Sequence, residues 1–365
     1  MDTLLSKTIS LLRFPLILCI VLIHSVGEGI TNNGINIIDS SGMIFKIVTT
    51  LISGIFAHTA VPIFFVIAGF LLFFKYESFF LSNYISTIKK RFFTLFIPYV
   101  FWNLFVIIVY FAVESFAPSF VSGKYPKVVD WSFEEWFLAF WNFDSTGFPK
   151  CGWFWFIRDL IVITLVFPII FFIIKYTSIL LPIVLCILYI LLNDDLCVIM
   201  EKIIGFNFQV KNSSLFFICL GAYLGINKIN IIKWCSNKSI TIYLILSLVE
   251  LSLTLNKVDI QLLHRVNILF GIFAIFSIAK LLAQRGYQLN KIVNNSTFFV
   301  YASHGIILII IQKLLAKLFV INGDISSLIW YLSSSIMTIF SCIISYYLSL
   351  QLSPKFTSII CGGRV

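Results

Sequence analysis

Residues 9–26 read Ile9-Ser-Leu-Leu-Arg13-Phe-Pro15-Leu-Ile-Leu-Cys19-Ile-Val-Leu-Ile-His24-Ser-Val26. Apart from Arg13 and His24 the stretch is almost wholly apolar. Its length approaches the roughly 20 residues that cross a bilayer as a helix. Ionisable side chains in such a segment are expensive and mark function by default. Arg13 and His24 stand 11 positions apart. At about 100° per residue this spacing ends some 20° past three full turns, so both point to one face, about 16 Å apart along the axis. The bland alternatives are an arginine that snorkels to the headgroups and a histidine that hydrogen-bonds a neighbouring helix. Pro15 either loosens the first turn or marks the true helix start. Arg13 interrupts the apolar run and no small-residue cleavage site follows Val26, so the segment reads as a retained helix rather than a signal peptide.

The rest of the chain agrees. Of 365 residues, 60% are hydrophobic and 12% charged, with 40 Phe and eight Trp. A soluble domain is nearer half apolar and a quarter charged. Disorder is excluded because it needs low hydrophobicity. The formal charge of +10 does not indicate a nucleic-acid partner, since in a membrane protein basic residues sort to one side of the bilayer. No Cys/His cluster with zinc spacing occurs, so no metal is expected. Cys151 and Cys197 fall in connecting stretches, and a bridge between them is not expected.

The expected fold is an all-α, polytopic transmembrane bundle of about ten helices, over 9–26, 56–74, 93–113, 154–174, 178–193, 213–227, 239–255, 264–283, 297–320 and 328–350. With the N-terminus inside, the inner segments collect 15 of the 26 basic residues, among them Lys89, Lys90, Arg91, Lys355 and Arg364. The outer segments collect most of the acids, including Asp130, Glu134, Asp144, Asp194, Asp195, Glu201 and Asp324. The positive-inside rule therefore predicts both termini in the cytoplasm and the long 114–152 loop outside. In that loop Ser132 and Glu135 form a capping-box pattern, which predicts a helix starting there. Trp131, Trp136 and Trp141 suit the membrane interface, as an anchor for the loop or, in a sharper reading, a lid over an outward-facing acceptor site.

Other polar candidates are scattered. His58 precedes Pro62 at the start of the second helix. His304 lies in Tyr301-Ala-Ser-His304-Gly305. His264 adjoins Arg265 and reads as a solvated interface residue. Arg158 and Asp159 are sequence neighbours near an outer helix end, and neighbours on a helix do not face each other, so separate partners or water are expected for each. Glu250, in an apolar helix, needs a cationic or hydrogen-bonding partner or stays protonated. There is no GxGxxG, Walker or GxSxG motif, and no histidine is followed five positions later by Asp.

Several segments together carry a resemblance. Leu12-Arg13-Phe-Pro with His24 resembles the first-helix Arg/His signature of acyltransferase family three, a group of integral membrane acyltransferases. Ala60-Val-Pro-Ile-Phe-Phe-Val-Ile-Ala-Gly-Phe-Leu-Leu72 is similar to its VPxFFxxSGF segment. Lys89-Lys-Arg91 and Pro98-Tyr-Val-Phe-Trp102-Asn103 look like its basic loop and PYxxWN helix. Trp155-Phe156-Ile-Arg158-Asp159-Leu160 resembles WFxRDL, and Tyr301-Ala-Ser-His304 resembles its late Y-x-x-H. The matches keep the family order from residue 12 to about 305. Two positions depart from it. Ala68 stands where a serine is usual, and Thr94 where a basic residue is common.

The resemblance implies that residues 1–365 form a single membrane-embedded acyltransferase domain in a bacterial cytoplasmic membrane. It implies transfer of an acyl group, commonly acetyl, from cytoplasmic acyl-CoA to a hydroxyl of a cell-surface or lipid-linked carbohydrate. Acyl-CoA is then a co-substrate, and no bound cofactor is implied. His24 is the expected catalytic base, since imidazole titrates near neutrality; a transient acyl-histidine is the second route. Arg13, Lys89, Lys90 and Arg91 are the expected contacts to the CoA phosphates. Arg158, Asp159, His58 and His304 are secondary candidates. The rival class is a proton-coupled transporter or glycan flippase, which buried Arg, His and Glu would also serve. Paired broken helices in two symmetric halves would distinguish it, and the sequence shows no such repeat.

Overall fold

A computed structural model describes residues 2–32, 34–118, 126–142, 149–192 and 210–364. Each of the ten apolar segments is helical. In chain order the helices are α1 (Thr3–His24), α2 (Met43–Phe73), α3 (Leu81–Phe116) and α4 (Phe133–Phe140). Next come α5 (Gly152–Leu165), α6 (Phe167–Thr177), α7 (Leu180–Leu191) and α8 (Asn212–Ile226). The chain closes with α9 (Asn237–Leu255), α10 (Gln261–Gln284), α11 (Lys291–Leu318), α12 (Asp324–Leu352) and α13 (Pro354–Ile360). Among the described residues the only strand pairing is a small hairpin, Thr31–Asn32 against Ile35–Asn36.

Seven helices, α1–α3 and α9–α12, are long and apolar enough to cross a membrane, and the bent pair α5–α6 makes an eighth if taken as one span. The count of ten is thus a count of apolar helices. The short ones, α7 and α8, have 12 and 15 residues, or about 18 and 22 Å against a hydrocarbon core of about 30 Å. The expected straight helix over 154–174 is instead two helices meeting at 69°. Pro168, at the start of α6, has no N–H to continue the ladder. The Tyr84 hydroxyl donates to the Leu165 carbonyl at 2.8 Å beside the break.

Helix starts follow local chemistry. The Asp2 carboxylate accepts from the Leu4 N–H at 2.9 Å and caps α1, so the helix begins well before Pro15. Pro15 lies inside α1 and leaves one carbonyl of the ladder without its amide. The capping box at α4 is present: Ser132 N–H donates to Glu135 Oε2 at 2.7 Å, and Glu135 N–H to Ser132 Oγ at 3.2 Å. Helix α2 starts earlier than the apolar pattern, and its turns widen to π geometry over Thr50–Phe56 just before His58. A second π stretch, Phe92–Phe96, follows Arg91 in α3. Cys151 is a free, buried thiol. Cys197, Asp144, Asp194, Asp195 and Glu201 lie outside the described residues.

The tightest packing in the bundle is α2 against α8. A Cβ on Gly221 would collide with the Val66 carbonyl, one on Gly69 with the Ile218 carbonyl, and one on Gly225 with the Phe70 carbonyl. Backbone approaches backbone here without side chains between, the arrangement that small residues allow in lipid, where dispersion rather than water exclusion joins helices. This seam fixes α2, and with it the start of the second cavity wall described next.

Candidate active site

Two cavities lie one above the other along α1. Ile20, Val61, Phe156 and Tyr301 line both and form the neck between them. One cavity holds about 390 Å3, the other about 330 Å3. His24 opens into the first and Arg13 into the second. The shared face expected from their spacing is the face that both cavities use.

The chain's four histidines all gather at the first cavity. His24, His58 and His264 line it, together with Trp153, Lys211 and Arg265. His304 stands directly behind His24, their ring centres 5.4 Å apart. It is fully buried, and its Nδ1 lies 2.7 Å from the Tyr301 carbonyl. A carbonyl only accepts, so that contact assigns the proton to Nδ1 and leaves a lone pair on Nε2, which has no partner among the described residues. The pocket for this ring is built by its own helix and one neighbour. Gly305 leaves room for the Trp153 ring, which a Cβ would strike, and the Trp153 indole donates to the Ala302 carbonyl at 3.0 Å. Tyr301, in the neck, donates to the Trp153 carbonyl at 2.5 Å and stacks on Phe154 at 5.4 Å.

On the other wall, His264 is half-buried and has a partner that its neighbour Arg265 does not suggest. Its Nδ1 lies 2.6 Å from Oε1 of Glu250, a buried carboxylate. Oε2 of the same carboxylate accepts from Asn267 at 2.7 Å, and Asn267 also donates to Ser247 at 3.1 Å. Glu250 thus finds its required partners across the α9–α10 hairpin. The His58 ring meets the His264 ring edge-on at 5.4 Å. Arg265, beside it in the cavity wall, reaches the end of α7, where it donates to the Ile190 carbonyl at 2.9 Å. A cation at a helix C-terminus answers its unsatisfied carbonyls.

The second cavity is cationic. Arg13, Arg91 and Arg364 line it with Asn294, Asn295 and Thr297, and no Asp or Glu is among its lining residues. Ala68, in place of the usual serine, lies in the wall as well. Of the four residues expected on the donor side, Arg13 and Arg91 come together here. Lys89 and Lys90 are exposed and line neither cavity. On α3 Lys90 is one and Lys89 two residues before Arg91, hence turned about 100° and 200° from it. Arg364 is the residue that the sequence reading passed over. Burial, and then the Arg91 and Arg13 charges, lower its pKa to about 10.

Arg158 and Asp159 also depart from expectation. They bind each other: Arg158 Nε and one terminal nitrogen reach Asp159 Oδ1 at 3.0 and 2.6 Å. The rule that helix neighbours point apart holds for the stems of side chains, but arginine is long enough to double back. Both groups are fully buried, and Ser214 on α8 donates to Asp159 Oδ2 at 2.7 Å. Neither lines either of the two cavities; the pair sits between α5 and α8.

Comparison with curated proteins and with solved structures gives no match. A family model described as an acyltransferase domain matches residues 7–347, nearly the whole chain. That span runs from the second turn of α1 through most of α12 and contains every cavity residue named above except Arg364. With its apolar helices and its histidine-lined cavity, the chain belongs to acyltransferase family three and is a membrane acyltransferase.

Proposed function

We propose that this acyltransferase takes an acyl group, acetyl in the simplest case, from cytoplasmic acyl-CoA and delivers it to a hydroxyl of a cell-surface or lipid-linked carbohydrate. The observation that supports this reading is the pair of cavities meeting at Ile20, Val61, Phe156 and Tyr301, one lined by guanidinium groups and free of carboxylates, the other collecting the histidines. CoA carries its negative charge on phosphates at one end and its thioester at the other. Phosphates bound at Arg13 and Arg91 leave the thioester arm to run along α1 through the neck toward His24.

Two balanced routes serve the chemistry. In the first, the His24 imidazole takes the proton of the acceptor hydroxyl as its oxygen attacks the thioester carbon. The C–S bond then breaks, and the imidazolium returns the proton to the thiolate. In the second, the imidazole nitrogen attacks the thioester carbon and CoA leaves as the thiolate. The hydroxyl oxygen then takes the acyl group from the acyl-imidazolium while its proton passes to the thiolate, which restores the neutral imidazole. His304, with its proton fixed at Nδ1, packs its ring against that of His24. His58 and the Glu250-bound His264 stand on the opposite wall, where an acceptor would enter.

Donor binding gives the test. In Arg13→Ala, protein reconstituted in lipid should bind radiolabelled acetyl-CoA about ten- to a hundredfold more weakly, the loss of one hydrogen-bonded charge contact. Arg13→Lys should recover only part of it, because lysine lacks the planar fork. Unchanged donor affinity together with weaker acceptor use would overturn the donor assignment. Surface-glycan mass spectra that are identical with and without the gene would remove the acceptor class.

The reading also requires the cationic cavity to open inward. The basic segments around α3 and the tail support that orientation through the positive-inside rule. A cysteine at the exposed Lys355 should react with an impermeant maleimide only after the cells are opened. Labelling above the native-thiol background in intact cells would reverse the topology.

A further inference from the structure

We propose that Arg364 is a donor-binding residue: the chain after α12 folds back under the bundle and places a third guanidinium on the phosphates of acyl-CoA. The inference rests on the donor reading above. It goes beyond it because Arg364 lies outside residues 7–347, which carry the family match.

The segment that carries Arg364 is anchored. The Trp102 indole donates to the Ile360 carbonyl at 3.1 Å, and Phe356 meets the Phe101 ring edge-on at 5.5 Å. Ser349 and Thr357 share a hydrogen bond of 2.7 Å across the junction of α12 and α13. Cys361 has no exposed surface. After α13 the chain reverses through Gly362 and Gly363, at φ +62° and +76°, a left-handed conformation that glycine adopts without strain. Gly363 N–H donates to the Ser358 carbonyl at 2.7 Å. Gly362 packs so close to α3 that a Cβ would collide with the Thr94 carbonyl. Anchor and turn together aim the next side chain into the cavity that Arg13 and Arg91 line.

Once there, Arg364 is only lightly engaged. It donates to the Cys361 carbonyl at 3.1 Å and lies over the Phe298 ring at 4.6 Å. A guanidinium carries five N–H donors. Three guanidiniums facing one cavity with no lining carboxylate repel one another, and an anion that enters converts the repulsion into attraction. CoA brings several phosphates, each able to take a bidentate arginine. Thr94 stands where the family resemblance expects a base. The tail passes over that residue's carbonyl and supplies a cation from elsewhere in the chain. A phospholipid headgroup has the same phosphate chemistry, so the experiment must separate the two sources.

The full-length protein in phosphatidylcholine nanodiscs is titrated with acetyl-CoA, in wild type, Arg364→Gln, Arg364→Lys, Arg91→Gln and the exposed control Lys355→Gln. Arg364→Gln is expected to weaken binding about ten- to a hundredfold, Arg364→Lys less, and Lys355→Gln not at all. If Arg91→Gln weakens binding and Arg364→Gln does not, the inference is overturned and the donor reading stands. If neither variant weakens binding, the donor reading itself fails. A lipid partner would show as loss of co-purifying phosphatidylglycerol in Arg364→Gln with acetyl-CoA affinity unchanged, which also overturns the inference. Should Arg364→Gln misfold, Arg364→Lys carries the test: binding equal to wild type for acetyl-CoA and for its 3′-dephospho form would argue against any phosphate contact.

Discussion

His24→Gln should reach the membrane at normal abundance and lose nearly all acyl transfer, by about 10²–10⁴ in rate. Glutamine keeps polarity and hydrogen bonding at the cavity wall but neither titrates nor forms an acyl adduct. The variant therefore separates a reacting imidazole from one that only packs. The surroundings favour little structural damage. His24 is the last residue of α1, and it faces open space rather than a packed neighbour on its cavity side. Glycan acylation at matched protein level is the measurement. Near-normal acylation would remove His24 from the mechanism and bring His58 or His264 to the front.

A second large effect is expected in the folded state itself. Asp159→Asn keeps the shape of the side chain and a group that can bond Ser214. It removes a carboxylate that pairs with Arg158 in a site with no exposure on either side. Breaking one side of a buried pair costs about 3–5 kcal/mol, because the remaining charge stays desolvated. The double variant Arg158→Met, Asp159→Leu should be less destabilised than Asp159→Asn alone, since two apolar groups leave no buried charge. Thermal unfolding in detergent reads both. An unchanged melting point in Asp159→Asn would show that the pair contributes little to stability, and would reopen a direct role in transfer.

The contrast between these two sites shows what sequence can carry. Arg13 and His24 share one continuous helix, so a period of 3.6 residues suffices to place them on one face. The pairing of His264 with Glu250 spans two helices. No spacing rule on α10 reveals it, and the adjacent Arg265 suggests solvent instead. The available signal was Glu250 itself, an acid in an apolar helix that had to find a partner. The fold behaves alike: every apolar segment became a helix, but length alone did not announce the bend at Pro168 or the shortness of α7 and α8. Lys89 and Lys90 look interchangeable with Arg91 in a run of three. Helical rotation then sends them outward. The Gly-Gly before Arg364 was the one mark of a turn in the tail, and nothing nearby said where the turn would lead.

The glycine seam between α2 and α8 sets an order of events during synthesis. Helix α2 leaves the ribosome long before α8 does, because α3 through α7 come between them. Until then the backbone at Gly69 lacks the partner that packs against it in the folded protein. Helix α8 is short for a membrane and gains little by entering lipid alone, so its most favourable berth is against Gly69. The histidine cavity is lined by residues of α10 and α11 as well, so its closure must wait until those helices have followed α8 into place. The histidine cavity is among the last parts of the molecule to form, and a chain halted before α10 is a set of helices without one.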